Sequence, residues 1–145
     1  MSIRVEVTID APPSVVWKVI EPIEHHVDWM ADARRITFTG EQTRGVGTSF
    51  DCLTQIGPFR TVDRMTVTEW EPEQAMGIEH CGLVTGSGRF TLTPYPRCRT
   101  RFSWSEELKF PWWMGGPAGA LAAKPALGAI WRRNLRRLRE IVEGT

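Results

Sequence analysis

Three titratable residues occupy positions where strand alternation turns them to the same side as apolar neighbours. Glu106 is in phase with Phe102, Trp104 and Leu108, His80 with Met76 and Ile78, and Asp63 with Met65 and Val67. On a shared apolar wall their proton affinities would be perturbed, and an acid beside a base could move protons in an enolisation, an aldol closure or a dehydration. The same residues have a plainer use. Each stands near a strand end, where it could reach water or pair with an arginine such as Arg64, Arg89 or Arg101.

Other candidate groups point to less chemistry. His25 and His26 with Asp28 hint at a metal site, but adjacent histidines on a helix diverge and no third or fourth ligand is spaced to join them, so both are expected to face solvent. Cys52, Cys81 and Cys98 form no Cys-x-x-Cys pair and read as reduced thiols. Gly45-Val46-Gly47 and Gly86-Ser87-Gly88 each lie between strands with no helix following to receive a phosphate, and no nucleophile elbow is present. No cofactor or metal is expected. Asn134 falls on the apolar face of the last helix, where its amide either holds a ligand carbonyl or satisfies a nearby loop.

The elements that must position these residues follow from periodicity. Ile3, Val5, Val7 and Ile9 alternate with polar residues as a half-buried strand that ends at Pro12-Pro13. Those prolines suit the first turn of a helix carrying Val15, Val16, Trp17, Val19 and Ile20. A second short helix over 23–30 takes its apolar side from Val27, Trp29 and Met30. From Arg35 to Lys109 six alternating runs are separated by turns, which with the first makes about seven strands of an antiparallel sheet with one buried face. The glycine-rich 82–88 stretch reads as a flexible loop between two of them.

The chain closes on Gly116 to Val142, where Leu127, Ile130, Trp131, Leu135, Leu138, Ile141 and Val142 recur at helical spacing and Arg132, Arg133, Arg136, Arg137 and Arg139 take the opposite face. Pro125 is expected to start the regular part of this helix or to kink it. The order predicts an α+β fold in which a curved sheet wraps the long C-terminal helix and two short helices close an end between strands 1 and 2. A helix across a concave sheet leaves space beneath it, so a cavity is expected. Its walls would come from Phe50, Met65, Met76, Ile78, Phe90, Phe102, Trp104, Trp131 and Leu138, with Asn134 as a polar contact. Trp112, Trp113 and Met114, in a Gly/Pro-rich loop, would form either a lid with aromatic ligand contacts or a rigid cap.

The composition agrees with such an interior. Seven Trp against one Tyr favours a roomy, ring-lined core over a wet recognition surface. Eighteen Lys and Arg against 17 Asp and Glu, a formal charge of +1, predict no broad attraction to nucleic acid. No apolar run approaches the roughly 18 residues of a membrane span, and nothing resembles an export signal. The expectation is therefore a cytosolic single domain over 1–145, without stable membrane insertion, its oligomeric state open and a homodimer included.

Several of these motifs occur together in order. Ile9-Asp10-Ala11-Pro12-Pro13-Ser14-Val15-Val16-Trp17, Trp29, Gly45-Val46-Gly47-Thr48, Trp70-Glu71-Pro72 and Asn134-Leu135-Arg136-Arg137-Leu138 resemble the START/Bet v 1-like superfamily, and within it the polyketide cyclase/dehydrase-like branch. The resemblance spans nearly the whole chain. It implies a helix-grip fold with an internal hydrophobic cavity, and a function among three kinds: a carrier or sensor of a hydrophobic lipid, polyketide or aromatic compound, a cyclase/dehydrase using the cavity acid and base, or a partner-binding module.

Overall fold

Alternation of β-branched and aromatic residues with polar ones organises most of the chain into strands. The computed structural model describes residues 1–145 in the order β1 (Ser2–Ile9), α1 (Pro13–Ile20), a 3-10 helix (Ile23–Asp28), β2 (Ala33–Phe38), β3 (Ser49–Ile56), β4 (Phe59–Glu71), β5 (Ala75–Cys81), β6 (Thr85–Tyr95), β7 (Arg99–Lys109), a 3-10 turn (Trp112–Met114) and α2 (Gly116–Glu143). Every neighbouring pair is antiparallel in one seven-stranded sheet, ordered β1-β7-β6-β5-β4-β3-β2. Strands β2 to β7 form a meander, and β1 joins it at β7 with Ile9 opposite Thr100 and Ile3 opposite Glu106. This is the helix-grip arrangement.

Local chemistry explains the remaining elements. Pro13 takes the first helical position of α1, where its missing N–H loses nothing, and Val16, Trp17 and Ile20 bury the inner face. The segment after it is a 3-10 helix, with three residues per turn, so Ile23, His26 and Trp29 line up and are buried together. Val27 and Met30 pack against the core half-buried, as the apolar side of this segment. One expectation is corrected: His26 faces the core instead of solvent.

Helix α2 starts at Gly116 and continues through Pro125 to Glu143. At 1.5 Å per residue it is roughly 42 Å long. Its buried stripe includes Trp131, Asn134, Leu135, Leu138 and Val142, which pack chiefly over β1 and the adjoining β7. Val5, Phe102, Leu92 and Trp104 join them in the same buried core from the sheet. Because α2 lies over that edge, the rest of the curved sheet from β3 to β6 is covered only in part. The space so left becomes the site.

Antiparallel connection also sorts the loops. The β3–β4 turn, the β5–β6 turn and the link from β7 to α2 all fall at one end of the sheet, whereas the β4–β5 and β6–β7 turns fall at the other.

Candidate functional site

Between α2 and the concave sheet lies a cavity of about 330 Å³, within the range of small-molecule sites. Its wall is overwhelmingly apolar. Of the residues expected there, Phe50, Met65, Met76 and Ile78 line it from β3, β4 and β5, Phe90 and Trp104 from β6 and β7, and Trp131 and Met114 from the helical side. Trp104 and Trp131 stack with ring centroids 4.9 Å apart and planes at 21°, joining sheet to helix.

The three titratable residues meet on this wall. His80 Nε2 lies 2.7 Å from Glu106 Oε2, and Trp104 Nε1–H donates to Glu106 Oε1 at 2.9 Å. The arginines that would have drawn them off are occupied on the outer face, Arg64 with Asp51, Arg89 with Glu69 and Arg101 with Glu6. Both members of the inner pair are nearly shielded, with side-chain exposures of 11% for His80 and 5% for Glu106. Burial alone would lower the proton affinity of His80, but the hydrogen bond to Glu106, its charge and that of Asp63 outweigh it and raise the pKa. The contact between His80 Nε2 and Glu106 Oε2 therefore favours the protonated ring, which donates Nε2–H to the Glu106 carboxyl group. His80 Nδ1 makes no hydrogen bond within the protein and remains accessible at the cavity wall.

Asp63 completes the cluster. Its Oδ2 accepts from Thr54 Oγ1 at 3.2 Å, while Oδ1 is buried without a partner. Burial raises its pKa, against the Thr54 hydrogen bond and the nearby His80 charge. Trp131 Nε1 is a second buried, unpartnered polar atom on a cavity-lining side chain.

His80 and Glu106 stand on strands separated by β6, a backbone span of roughly 10 Å. They meet because β6 presents Gly86 and Gly88 between them, opposite His80 and Glu106 respectively. A methyl on Gly88 would sit 2.7 Å from both Cδ and Oε2 of Glu106 and closer still to Oε1. At Gly86, with φ of 135°, a Cβ would overlap the carbonyl oxygen of Glu107. The expectation of a flexible loop over 82–88 is thus corrected: residues from Thr85 onward are strand, and their glycines are the gap through which an acid and a base reach each other. Two glycines at alternate positions between two inward titratable residues was the available signal.

Other expected contacts stand elsewhere. Phe102 and Leu138 are fully buried in the packed core beneath the helix, outside the cavity wall. Asn134 is also outside it. Its Oδ1 accepts from Ala31 N–H at 3.1 Å and its Nδ2 donates to Asp32 Oδ1 at 2.8 Å, so both ends of the amide hold the entry to β2. Trp112 and Trp113 are 86% and 59% exposed and touch no part of the cavity, which makes them neither lid nor cap in this conformation.

Residues not singled out also line the space, among them Ile23, His26, Ile36, Leu127 and Ile130. Leu127, Ile130 and Ile36 were in the apolar periodicity. His26 carried no signal, because its burial depends on the 3-10 pitch. Its Nε2–H donates to the Ile20 carbonyl at 2.7 Å, and burial pushes its pKa down to about 4, which keeps it neutral. No group of three or more His, Cys, Asp or Glu could hold a metal ion.

Comparison with known proteins agrees with this geometry. Residues 1–143 match the family described as polyketide cyclase / dehydrase and lipid transport. No curated protein sequence matches the chain. Among solved structures it is similar to TTHA0849 from Thermus thermophilus, with a TM-score of 0.80 and 17% identity over 99% of this chain and 98% of that one. It is also similar to the Zhui aromatase/cyclase from Streptomyces sp. R1128, with a TM-score of 0.75 and 16% identity over 99% and 93% of the two chains. DR_A0006 from Deinococcus radiodurans gives 0.72 and 16% over 100% and 99%. At those identities the structures speak for the fold, and the match over residues 1–143 speaks for descent: the chain belongs to the polyketide cyclase / dehydrase and lipid transport family.

Proposed function

We propose that this protein binds an apolar small molecule carrying at least one oxygen, with its hydrocarbon or aromatic body against the cavity wall and the oxygen at His80. The observation that carries this reading is the coupled His80–Glu106 pair, with Asp63 beside it, on a largely apolar wall. Burying ligand surface there contributes roughly 25 cal/mol per Å² before ordering costs. With the ring protonated, His80 Nδ1–H supplies a charged donor for a carbonyl or hydroxyl oxygen. A lipid, a polyketide or another aromatic compound fits that description, held as by a carrier or sensor.

The test is native mass spectrometry of freshly purified protein, followed by solvent extraction of whatever dissociates and titration of the identified compound back into the stripped protein. Stoichiometric rebinding that is lost on filling the cavity with Ile78→Trp supports the reading. Rebinding unaffected by that substitution removes it.

The coupling of His80 to Glu106 favours a second reading, in which the site turns its ligand over. An imidazolium at a carbonyl oxygen lowers the barrier to enolisation by stabilising the developing oxyanion, and after the proton is given up the neutral ring is a base for the return step. The solved neighbour named as an aromatase/cyclase makes polyketones the substrates to try. Glu106→Gln should then abolish turnover with ligand binding nearly intact, and equal losses in both would count against catalysis.

A further inference from the structure

The cavity wall reaches the end of the sheet where the β3–β4 turn, the β5–β6 turn and the link into α2 converge, since it includes Ile56, Phe59, Val84, Phe110 and Met114. The outer surface of the same end is unusually apolar. Seven large hydrophobic residues of the chain are exposed, and five of them, Phe59, Val62, Trp112, Trp113 and Leu121, lie in these segments or in the first residues of β4 and α2 that continue them. Its charge is one-sided as well. Residues 56–62, 82–88 and 109–127 contain Arg60, Lys109 and Lys124, and not one Asp or Glu. Glu79 and Glu107 stand beside Ser87 on β5 and β7 at the inner border of this surface, and Glu107 is engaged by Ser2.

We propose that this rim is a peripheral docking surface for an anionic lipid bilayer. Trp112, Trp113 and Leu121 enter the interfacial layer, where indole rings are favoured because one edge is apolar and the N–H stays wet. Arg60, Lys109 and Lys124 meet the acidic headgroups, each contributing about 1 kcal/mol near such a surface. A second copy of the chain is a poorer occupant, because two such rims would bring Arg60, Lys109 and Lys124 against their own counterparts, with carboxylates only at the border. No helix is long and apolar enough to cross a membrane, so the attachment is by the rim alone. Its use follows from the continuity of Met114 and Phe59 with the cavity wall: an apolar molecule passes between bilayer and cavity without crossing water. The inference goes beyond the ligand reading and is tested apart from it.

Sedimentation with sucrose-loaded vesicles, of phosphatidylcholine alone and of equal phosphatidylcholine and phosphatidylglycerol, decides it. The wild-type protein is expected to sediment with the anionic vesicles, more at low salt than at high. Trp112→Ala/Trp113→Ala should partition at least ~10-fold more weakly, the effect of withdrawing about 60 Å² of apolar surface per pair. Lys109→Glu/Lys124→Glu, two exposed positions, should lose the binding at low salt as well. Uptake of the dye 1-anilinonaphthalene-8-sulfonate without vesicles reads the cavity independently and should be unchanged in both variants. Wild-type protein that stays in solution with anionic vesicles, or a double tryptophan variant that sediments like wild type, overturns the proposal. So does a wild-type dimer that the tryptophan substitutions turn into a monomer.

Discussion

Replacing Gly88 by Ala tests the inner ion pair without altering any of its members. The added methyl would lie 2.7 Å from Glu106 Cδ and Oε2, so the carboxylate must retreat by roughly an ångström to reach an ordinary contact. It cannot do so and keep both partners, because Trp104 Nε1–H and His80 Nε2–H hold its two oxygens at 2.9 and 2.7 Å. Hydrogen bonds to a charged group contribute about 1.5–3 kcal/mol each, and Gly→Ala at a relaxed site returns about 0.4–1 kcal/mol. Losing one bond outright and weakening the other gives a net destabilisation of roughly 2–4 kcal/mol, about 10 °C in melting temperature for a chain of this size. Urea unfolding measures the first figure. In a Glu106→Ala background the same methyl meets no carboxylate, so the double-mutant cycle should show a coupling of about 2 kcal/mol. Nuclear magnetic resonance titration of His80 should show its pKa moving down in Gly88→Ala. A loss below ~0.5 kcal/mol together with an unchanged His80 titration would refute the clearance argument.

Three other outcomes are expected. Because the pKa of His80 is raised in the folded protein, its ion pair contributes stability that is complete below the unfolded value near ~6.5 and is lost as pH rises through the folded value; the stability difference between wild type and Glu106→Gln, followed by urea unfolding from pH 5 upward, should therefore shrink toward alkaline pH, and a difference that grows would contradict the assignment. Asn134→Ala should cost roughly 2–3 kcal/mol, since it strands the Ala31 N–H and removes the partner of Asp32, yet leave dye affinity of the cavity as in wild type; a selective affinity loss at unchanged melting temperature would restore Asn134 as a ligand contact. Burial pushes the Cys52 thiol up to about 11, whereas Cys81 and Cys98 are exposed, so a thiol reagent at pH 8 should modify two cysteines quickly in the folded protein and the third only on unfolding.

Much of the fold was legible because its periods are simple. The alternation of Ile3, Val5, Val7 and Ile9, and the helical stripe through Trp131, Leu135 and Leu138, each name one face unambiguously. Strand phase likewise puts Asp63, His80 and Glu106 on the inner side, where they line the cavity. It could not place them together, since their meeting depends on which strands flank β6 and on the absence of side chains at Gly86 and Gly88. Asn134 shows the opposite limit. Its helix face was readable, but its occupation by Ala31 and Asp32 depends on a loop about 100 residues away in sequence. The exposed tryptophans escaped for a related reason, because apolar content in a short loop says nothing about which way its rings turn.

The pairing of β1 with β7 also sets a timetable. Ile9 has no partner until Thr100 exists, and the Ile3 position opposite Glu106 waits slightly longer. At roughly 5–20 residues per second of synthesis, a strand with four apolar side chains remains unmatched for something like 5–20 s while the meander forms beside it. Helix α2, which covers β1, is made later still. The inner wall is therefore among the last parts of the molecule to be enclosed, and a nascent chain halted before Thr100 presents an adhesive strand in place of a container. For a protein built around an apolar hollow, that interval is when aggregation competes with completion.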